Sequence, residues 1–412
     1  MKSYIHCSLV VLISLGTSHS CEDAGPVRKE APKITLQKKS AEIIKADKAF
    51  GFELFRQVYS LTEEENLMIS PISVSYALGM TYNGAAGTTL EAFNDVLHFG
   101  ELTTEEVNES YRDLMDQLVH LDDQVEFSIA NSIWYRLGFE VLAAFIQTNS
   151  DYFDAGVKEI DFSDPATVET INRWIEDKTN GKIRDMLDYI PADAMMYLIN
   201  AIYFNARWKY EFDKKDTYEG AFFLEGGTTH LADFMSVTGD FVYTANEEFT
   251  AVELPYGDSA FSMVVMLPSP GKGVPDLVAM LDATHWDSWF ENSAYREVQI
   301  DLPRFKYGFR QLLNDPLVNL GLGVAFSPSE ADFTGINPAG ELYISRVIHQ
   351  TFIDVKEEGT EAAAATIVEI SLTCAGGGPV CFRADRPFLY LIKENSTGAI
   401  LFIGKVGRPE YS

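Results

Sequence analysis

The spacing of apolar residues changes partway along this chain. In the first half it follows the helical period. Residues 41–61 repeat apolar side chains at helical intervals. Ser70-Pro71 reads as a helix start, with the serine oxygen expected to cap free amides and proline suited to the first turn. The helix that follows carries Val74, Leu78 and Met80 and is expected to end near Asn83-Gly84. Residues 103–121 are amphipathic and acidic, and 168–178 repeat the pattern before Asn180-Gly181, a left-handed stop signal. In the second half, residues 197–204, 261–267, 298–305, 388–393 and 399–406 combine β-branched and aromatic residues with turn signals at their ends. Helices first and strands later predict an α+β fold with large, mainly antiparallel sheets.

The N-terminus reads differently. Lys2, a short apolar run over 9–15 and the small residues Thr17, Ser18 and Ser20 form an export signal too short to span a bilayer. Cys21 follows at once. One reading is an ordinary secretory signal; the other is a bacterial lipoprotein signal, with Cys21 becoming the lipidated N-terminus. His19 is unusual beside such a cut. Either way the protein is expected to be exported, secreted or lipid-anchored on the cell surface. Residues 1–20 are then the signal, 21–40 a polar tether with Pro26 and Pro32, and 41–412 one large unit without linker or repeat.

Composition narrows the partners. Apolar residues make up 46% of 412, ample for a large core. Acidic residues outnumber basic ones by 61 to 32, a net charge of -29. That surface repels nucleic acid and anionic membranes, and the acidic stretch 103–121 argues against heparin. Catalytic signatures are absent: no Gly-x-Ser-x-Gly elbow, no His-Glu-x-x-His pair, no phosphate-cradling Gly-x-x-x-x-Gly-Lys loop. The glycines within 320–324 lack the third member of a dinucleotide fingerprint, and the seven histidines are scattered. A metal site, a cofactor and an enzyme are not expected.

The informative segment is Glu357, Glu358, Gly359, Thr360, Glu361, Ala362, Ala363, Ala364, Ala365 and Thr366, followed by Ile-Val-Glu-Ile-Ser-Leu-Thr373. Locally, the alanines favour helix. At period two it is a strand: Thr360, Ala362, Ala364, Thr366, Val368, Ile370 and Leu372 share an uncharged face, while Glu361, Glu369 and Ser371 share the other. Small residues can slide between existing strands, β-branched residues can then lock the strand, and Gly359 supplies a pivot.

This run resembles the hinge of inhibitory serpins. Other motifs resemble that family in order: Asn66-Leu-Met-Ile-Ser-Pro-Ile-Ser73, Asn172-x-Trp174, Thr179-x-Gly-Lys-Ile183, Asn200-Ala-Ile-Tyr-Phe204, Trp208, Glu253-Leu-Pro-Tyr256, Leu302-Pro-Arg-Phe305, Asp332-Phe-Thr-Gly335 and Pro387-Phe388 to Pro409. The resemblance covers roughly 41–409. It implies that Ser70, Ser73, Asn200 and His349 form a polar shutter, with His349 structural, and that Trp208 lies in the breach beneath the hinge.

It further implies an exposed reactive-centre loop over about 359–384. A serine protease would cut it near Thr373–Cys374, or after Leu372 or Ile370, and the hinge would insert into the central sheet. No lysine or arginine lies between Gly359 and Phe382, so elastase-like or subtilisin-like proteases are expected rather than trypsin-like ones. The protein is expected to act as a monomer. The alternative is a non-inhibitory serpin, a carrier or chaperone; those tend to carry bulky or charged hinge residues. Finally, Cys374 and Cys381 flank Gly376-Gly-Gly-Pro379, and an oxidising compartment makes a disulfide between them expected.

Overall fold

The computed structural model describes residues 31–340, 342–360 and 378–411. The helical half contains α1 (Lys38–Leu61), β1 (Asn66–Ile69), α2 (Pro71–Tyr82), α3 (Gly87–Val96), α4 (Thr104–Val119), β2 (Val125–Arg136), α5 (Ala143–Phe153), β3 (Ala155–Ile160) and α6 (Ala166–Lys178). Then follow β4 (Met196–Arg207), β5 (Tyr218–Phe223), β6 (Thr229–Ala245), β7 (Phe249–Pro255), β8 (Phe261–Pro268), α7 (Val274–Met280), α8 (Ala283–Phe290), β9 (Ala294–Pro303), β10 (Phe305–Leu312) and α9 (Asn314–Leu320). The last strands are β11 (Ile348–Lys356), β12 (Gly359–Thr360), β13 (Val380–Arg383), β14 (Phe388–Glu394) and β15 (Ile400–Val406).

The α+β expectation holds, with local differences. α1 begins at Lys38, inside the stretch read as tether, and Ile34 ahead of it is already buried. α6 stops as expected, with Asn180 and Gly181 both at positive φ. α4 opens with a reciprocal cap: Thr103 Oγ1 accepts from the Glu106 amide, and Glu106 accepts from the Thr103 amide. The helical half also holds β2 and β3, which the apolar spacing did not announce.

The strands form two sheets. Nine lie in one, in the order β1-β15-β14-β8-β7-β6-β9-β13, with β5 paired to β6. Six lie in the other, in the order β10-β11-β12-β4-β2-β3. The main core packs α1 to α4 against the nine-stranded sheet, and Phe50, Phe55, Tyr111 and Tyr390 are fully enclosed there. A smaller core joins α6 to the six-stranded sheet through Ile171, Ile175, Trp134 and Ile199.

One feature of the six-stranded sheet positions the site. β12 is two residues long, and it is the element between β11 and β4. Thr360 pairs with Val355 on one side and Ala206 on the other; Gly359 pairs with Lys356 and Arg207. Below that wedge, residues 348–354 of β11 and 196–205 of β4 make no ladder with each other. Among the described residues a slot therefore runs down the centre of the sheet, with Gly359 and Thr360 at its top.

Candidate functional site

The hinge base is built from buried charge. Glu357 accepts a hydrogen bond from Thr217 Oγ1 at 2.8 Å, and its main-chain oxygen accepts from the Phe212 amide at 3.0 Å. Glu358 pairs with Lys214, and its carbonyl accepts from the Trp208 amide at 3.0 Å. Arg304 approaches Glu357 at 3.7 Å, and Lys306 and Lys356 each approach Asp354 at 3.8 Å. Trp208 is buried beside Lys356 and Glu358. Its indole donates to the Lys356 carbonyl at 2.9 Å, and its ring stacks on Tyr256 at 4.4 Å.

Gly359 has no substitute in this position. Its φ is +149°, and a Cβ there would meet the Ala206 carbonyl oxygen at 2.2 Å and the Arg207 Cα at 2.5 Å. Thr360 follows, buried, its hydroxyl 2.9 Å from that of Tyr256. The loop was expected to begin at about 359, and its first two residues are not exposed. Gly359 and Thr360 lie within the six-stranded sheet because a residue without a Cβ and a small hydroxyl residue fit between β4 and β11. At the other end, β13 pairs in parallel with β9 in the nine-stranded sheet, and Ala384 is fully buried.

The four residues expected to form a shutter fall into two hydrogen-bonded pairs, one on the β4 side of the slot and one on the β11 side. Ser73 Oγ donates to Asn200, and Asn200 Nδ2 donates to Asn131 Oδ1 at 2.7 Å. Asn131 in turn donates to the Phe153 carbonyl. On the β11 side, the Ser70 amide donates to His349 Nε2 at 3.0 Å. Burial pulls the His349 imidazole down to about 4, so it stays neutral and can accept that bond. The expected cap at Ser70 is not made: its Oγ donates instead to the Leu401 carbonyl at 2.7 Å, tying the start of α2 to β15. A cavity of about 170 Å³ borders this cluster, lined by Ser73, Leu78, Ile199, Asn200, Val347 and His349.

Sequence reasoning missed Asn131, Thr351 and Tyr411 and did not foresee Arg304 as a partner of Glu357. Thr351 Oγ1 donates to the Met68 carbonyl at 2.8 Å and ties β11 to β1. Buried asparagine and threonine on central strands are the available signal. Glu361 to Thr366, Thr373, Cys374 and Cys21 lie outside the described residues. Cys381 is disulfide-bonded, with its partner also outside them.

The chain is similar to known proteins over most of its length. The family described as Serpin (serine protease inhibitor) matches residues 45–409. An uncharacterized serpin-like protein of Methanosarcina acetivorans is 35% identical over 381 residues, covering 90% of this chain and 88% of that one. Human leukocyte elastase inhibitor is 32% identical over 380 residues, covering 89% of this chain and all of its own. Among solved structures, the thermophilic serpin tengpin in its native state gives a TM-score of 0.81 at 34% identity, covering 92% and 98% of the two chains. Thyroxine-binding globulin with thyroxine gives 0.82 at 25% identity, covering 90% and 100%. With this match over most of its length, the chain belongs to the serpin family of serine protease inhibitors.

Proposed function

We propose that this protein traps serine proteases as a suicide substrate. The observation that carries the reading is β12: two hinge residues already paired on both sides at the mouth of a slot that no other described strand fills. Continuing the same register six residues further would bring Thr366 opposite both Asn200 and His349, where its hydroxyl suits the polar cluster.

The chemistry begins as ordinary acyl transfer. The protease serine oxygen attacks the Thr373 carbonyl carbon, the peptide C–N bond breaks, and the amine leaves on Cys374 while an ester to the protease forms. Freed from its distal attachment, the hinge enters the slot and carries the acylated protease with it. About ten new backbone hydrogen bonds at roughly 0.5–1.5 kcal/mol each supply on the order of 10 kcal/mol. The uncut fold is therefore held kinetically.

Elastase-like and subtilisin-like proteases are the favoured targets, since 360–381 contain no lysine or arginine, and a relative is named leukocyte elastase inhibitor. The carrier reading fits less well, because the hinge lacks bulky residues. Cys381 is bonded, and Cys374 is its nearest candidate in sequence. With that pairing, a cut at Thr373 or earlier frees the hinge, while a cut between the cysteines leaves the halves tied. Non-reducing mass mapping should find the linked peptide; a different partner for Cys381 would end the filter. Export, and a lipid anchor on Cys21, complete the proposal; metabolic labelling with a fatty acid tests the anchor.

The central test mixes the purified protein with elastase and with subtilisin. An SDS-stable adduct and a released peptide beginning at Cys374 are expected. Cleavage of the loop with no adduct from either protease would overturn the mechanism.

A further inference from the structure

The C-terminal tail is woven into the body more closely than a chain end requires. Asn66 Oδ1 accepts from the Gly407 and Arg408 amides at 2.9 and 3.0 Å, and its Nδ2 donates to the Arg408 carbonyl at 2.7 Å. The Lys306 amide donates to the Glu410 carbonyl at 2.8 Å. These bonds deliver the Tyr411 ring onto Arg304, with the guanidinium carbon 3.8 Å from the ring centroid.

Arg304 occupies the break between β9 and β10, directly beside the hinge base. Its two ion contacts, to Asp233 and Glu357, are both 3.7 Å long. Its buried Nε has no hydrogen-bond partner among the described residues. Contacts of that length do not fix the plane of a guanidinium. A flat aromatic face does, and it also shields the charge from water.

We propose that Tyr411 is a positioning residue for the hinge: by stacking on Arg304 it holds the guanidinium toward Glu357, so the chain end sets the direction in which the hinge leaves β11. The consequence for inhibition rests on the insertion reading above. A loosened pivot delivers the cut strand to the slot more slowly, and the protease completes hydrolysis more often. The tail thus serves the partition between inhibitor and substrate.

The test has two arms. The first needs no protease. The Trp208 and Phe212 amides donate to the Glu358 and Glu357 carbonyls, so their hydrogen exchange in the uncut protein reports hinge anchoring directly. Tyr411→Ala should speed exchange at both amides by about tenfold, while Tyr411→Phe, which keeps the ring, should match the parent. Exchange at Leu391 and Ile403, in the other sheet, should not move. Unchanged rates at Trp208 and Phe212, or equal acceleration at all four positions, would overturn the proposal.

The second arm counts inhibitor molecules consumed per subtilisin molecule inactivated. Tyr411→Ala should raise that number about threefold, and Tyr411→Phe should not. An unchanged ratio for Tyr411→Ala, with faster hinge exchange, would overturn the link to inhibition. If the parent itself forms no adduct, the trapping mechanism fails while the exchange arm still judges the role of Tyr411.

Discussion

The two sheets solve opposite problems. In the nine-stranded sheet, β8 and β15 are buried at every position, and β14 pairs along its length with both. Its middle is apolar on both faces, with Val264, Val265, Leu391 and Ile403 wholly enclosed. Parting those strands would expose apolar surface and orphan two ladders together. The six-stranded sheet carries Asn131, Asn200, His349 and Thr351 near its centre, each hydrogen-bonded through its side chain. Such groups can exchange partners as a strand arrives, because each has donors or acceptors to offer it. An apolar sheet is sealed; a sheet with a polar midline can admit another strand.

The largest expected effect separates the two sheets directly. Cutting the loop should raise the melting midpoint by roughly 10–30 °C, since insertion adds a central strand only to the slotted sheet. Calorimetry before and after limited proteolysis measures it, and equal midpoints would remove the distinction between the sheets.

Next in size is Thr360→Arg. Thr360 is buried against Tyr256 at the mouth of the slot, and an arginine there would have to bring its charge into the sheet. The variant should be cut as a substrate and yield little or no adduct. Undiminished adduct on a gel would show that the slot mouth tolerates charge.

A third test uses acidity. The folded His349 resists protonation down to about 4, whereas an ordinary histidine takes its proton near 6.5. Stability from this group is intact above the ordinary value. It falls as pH drops from 6.5 toward 4, because the unfolded chain binds the proton first; the full loss is about 3 kcal/mol. Asp47, on the buried face of α1 and raised to about 7 by that burial, works in the opposite sense, losing stability as pH rises through 4 to 7. The measurement is therefore the difference between the parent and His349→Gln in denaturant melts at pH 4.5 and 7.5. A difference that does not change with pH would show that the shutter histidine is solvated.

The smallest effect is the control from the sealed sheet. Ile403→Val should cost about 0.5–1.5 kcal/mol and leave the inhibitor-to-substrate ratio unaltered. A changed ratio would mean that both sheets take part in the transition.

Of the slotted sheet, β4 and the small-residue and polar positions were legible in the sequence, for chemical reasons; most of the strands read from the apolar pattern belong to the other sheet. A run of small residues after Gly359 is rare in a strand-forming segment, and serine, asparagine and histidine on apolar elements announce buried hydrogen bonds. Ser70 shows the limit: its type suggested a local cap, and a carbonyl on β15 claimed it. β2 was missed because Asn131 and Ser132 interrupt its apolar pattern; both are buried, Asn131 on the distant Phe153 and Asn200, and Ser132 on the Trp134 indole two residues along. β12 was read only as the pivot and first residue of a longer strand; that Gly359 and Thr360 already sit between β11 and β4 is a tertiary fact with no period to announce it. Arg304 and Tyr411 are 107 positions apart in the numbering and meet only through folding.

The cavity of about 170 Å³ beside Ser73, Asn200 and His349 has a mechanical meaning. It is partly open to the surface, so the side chains that border it have room to turn without first displacing close-packed neighbours. The proposed insertion would part the strands beside that slack rather than against a filled core. The slack acts as clearance does in a hinge: it does not drive the motion, and it keeps the moving parts from binding.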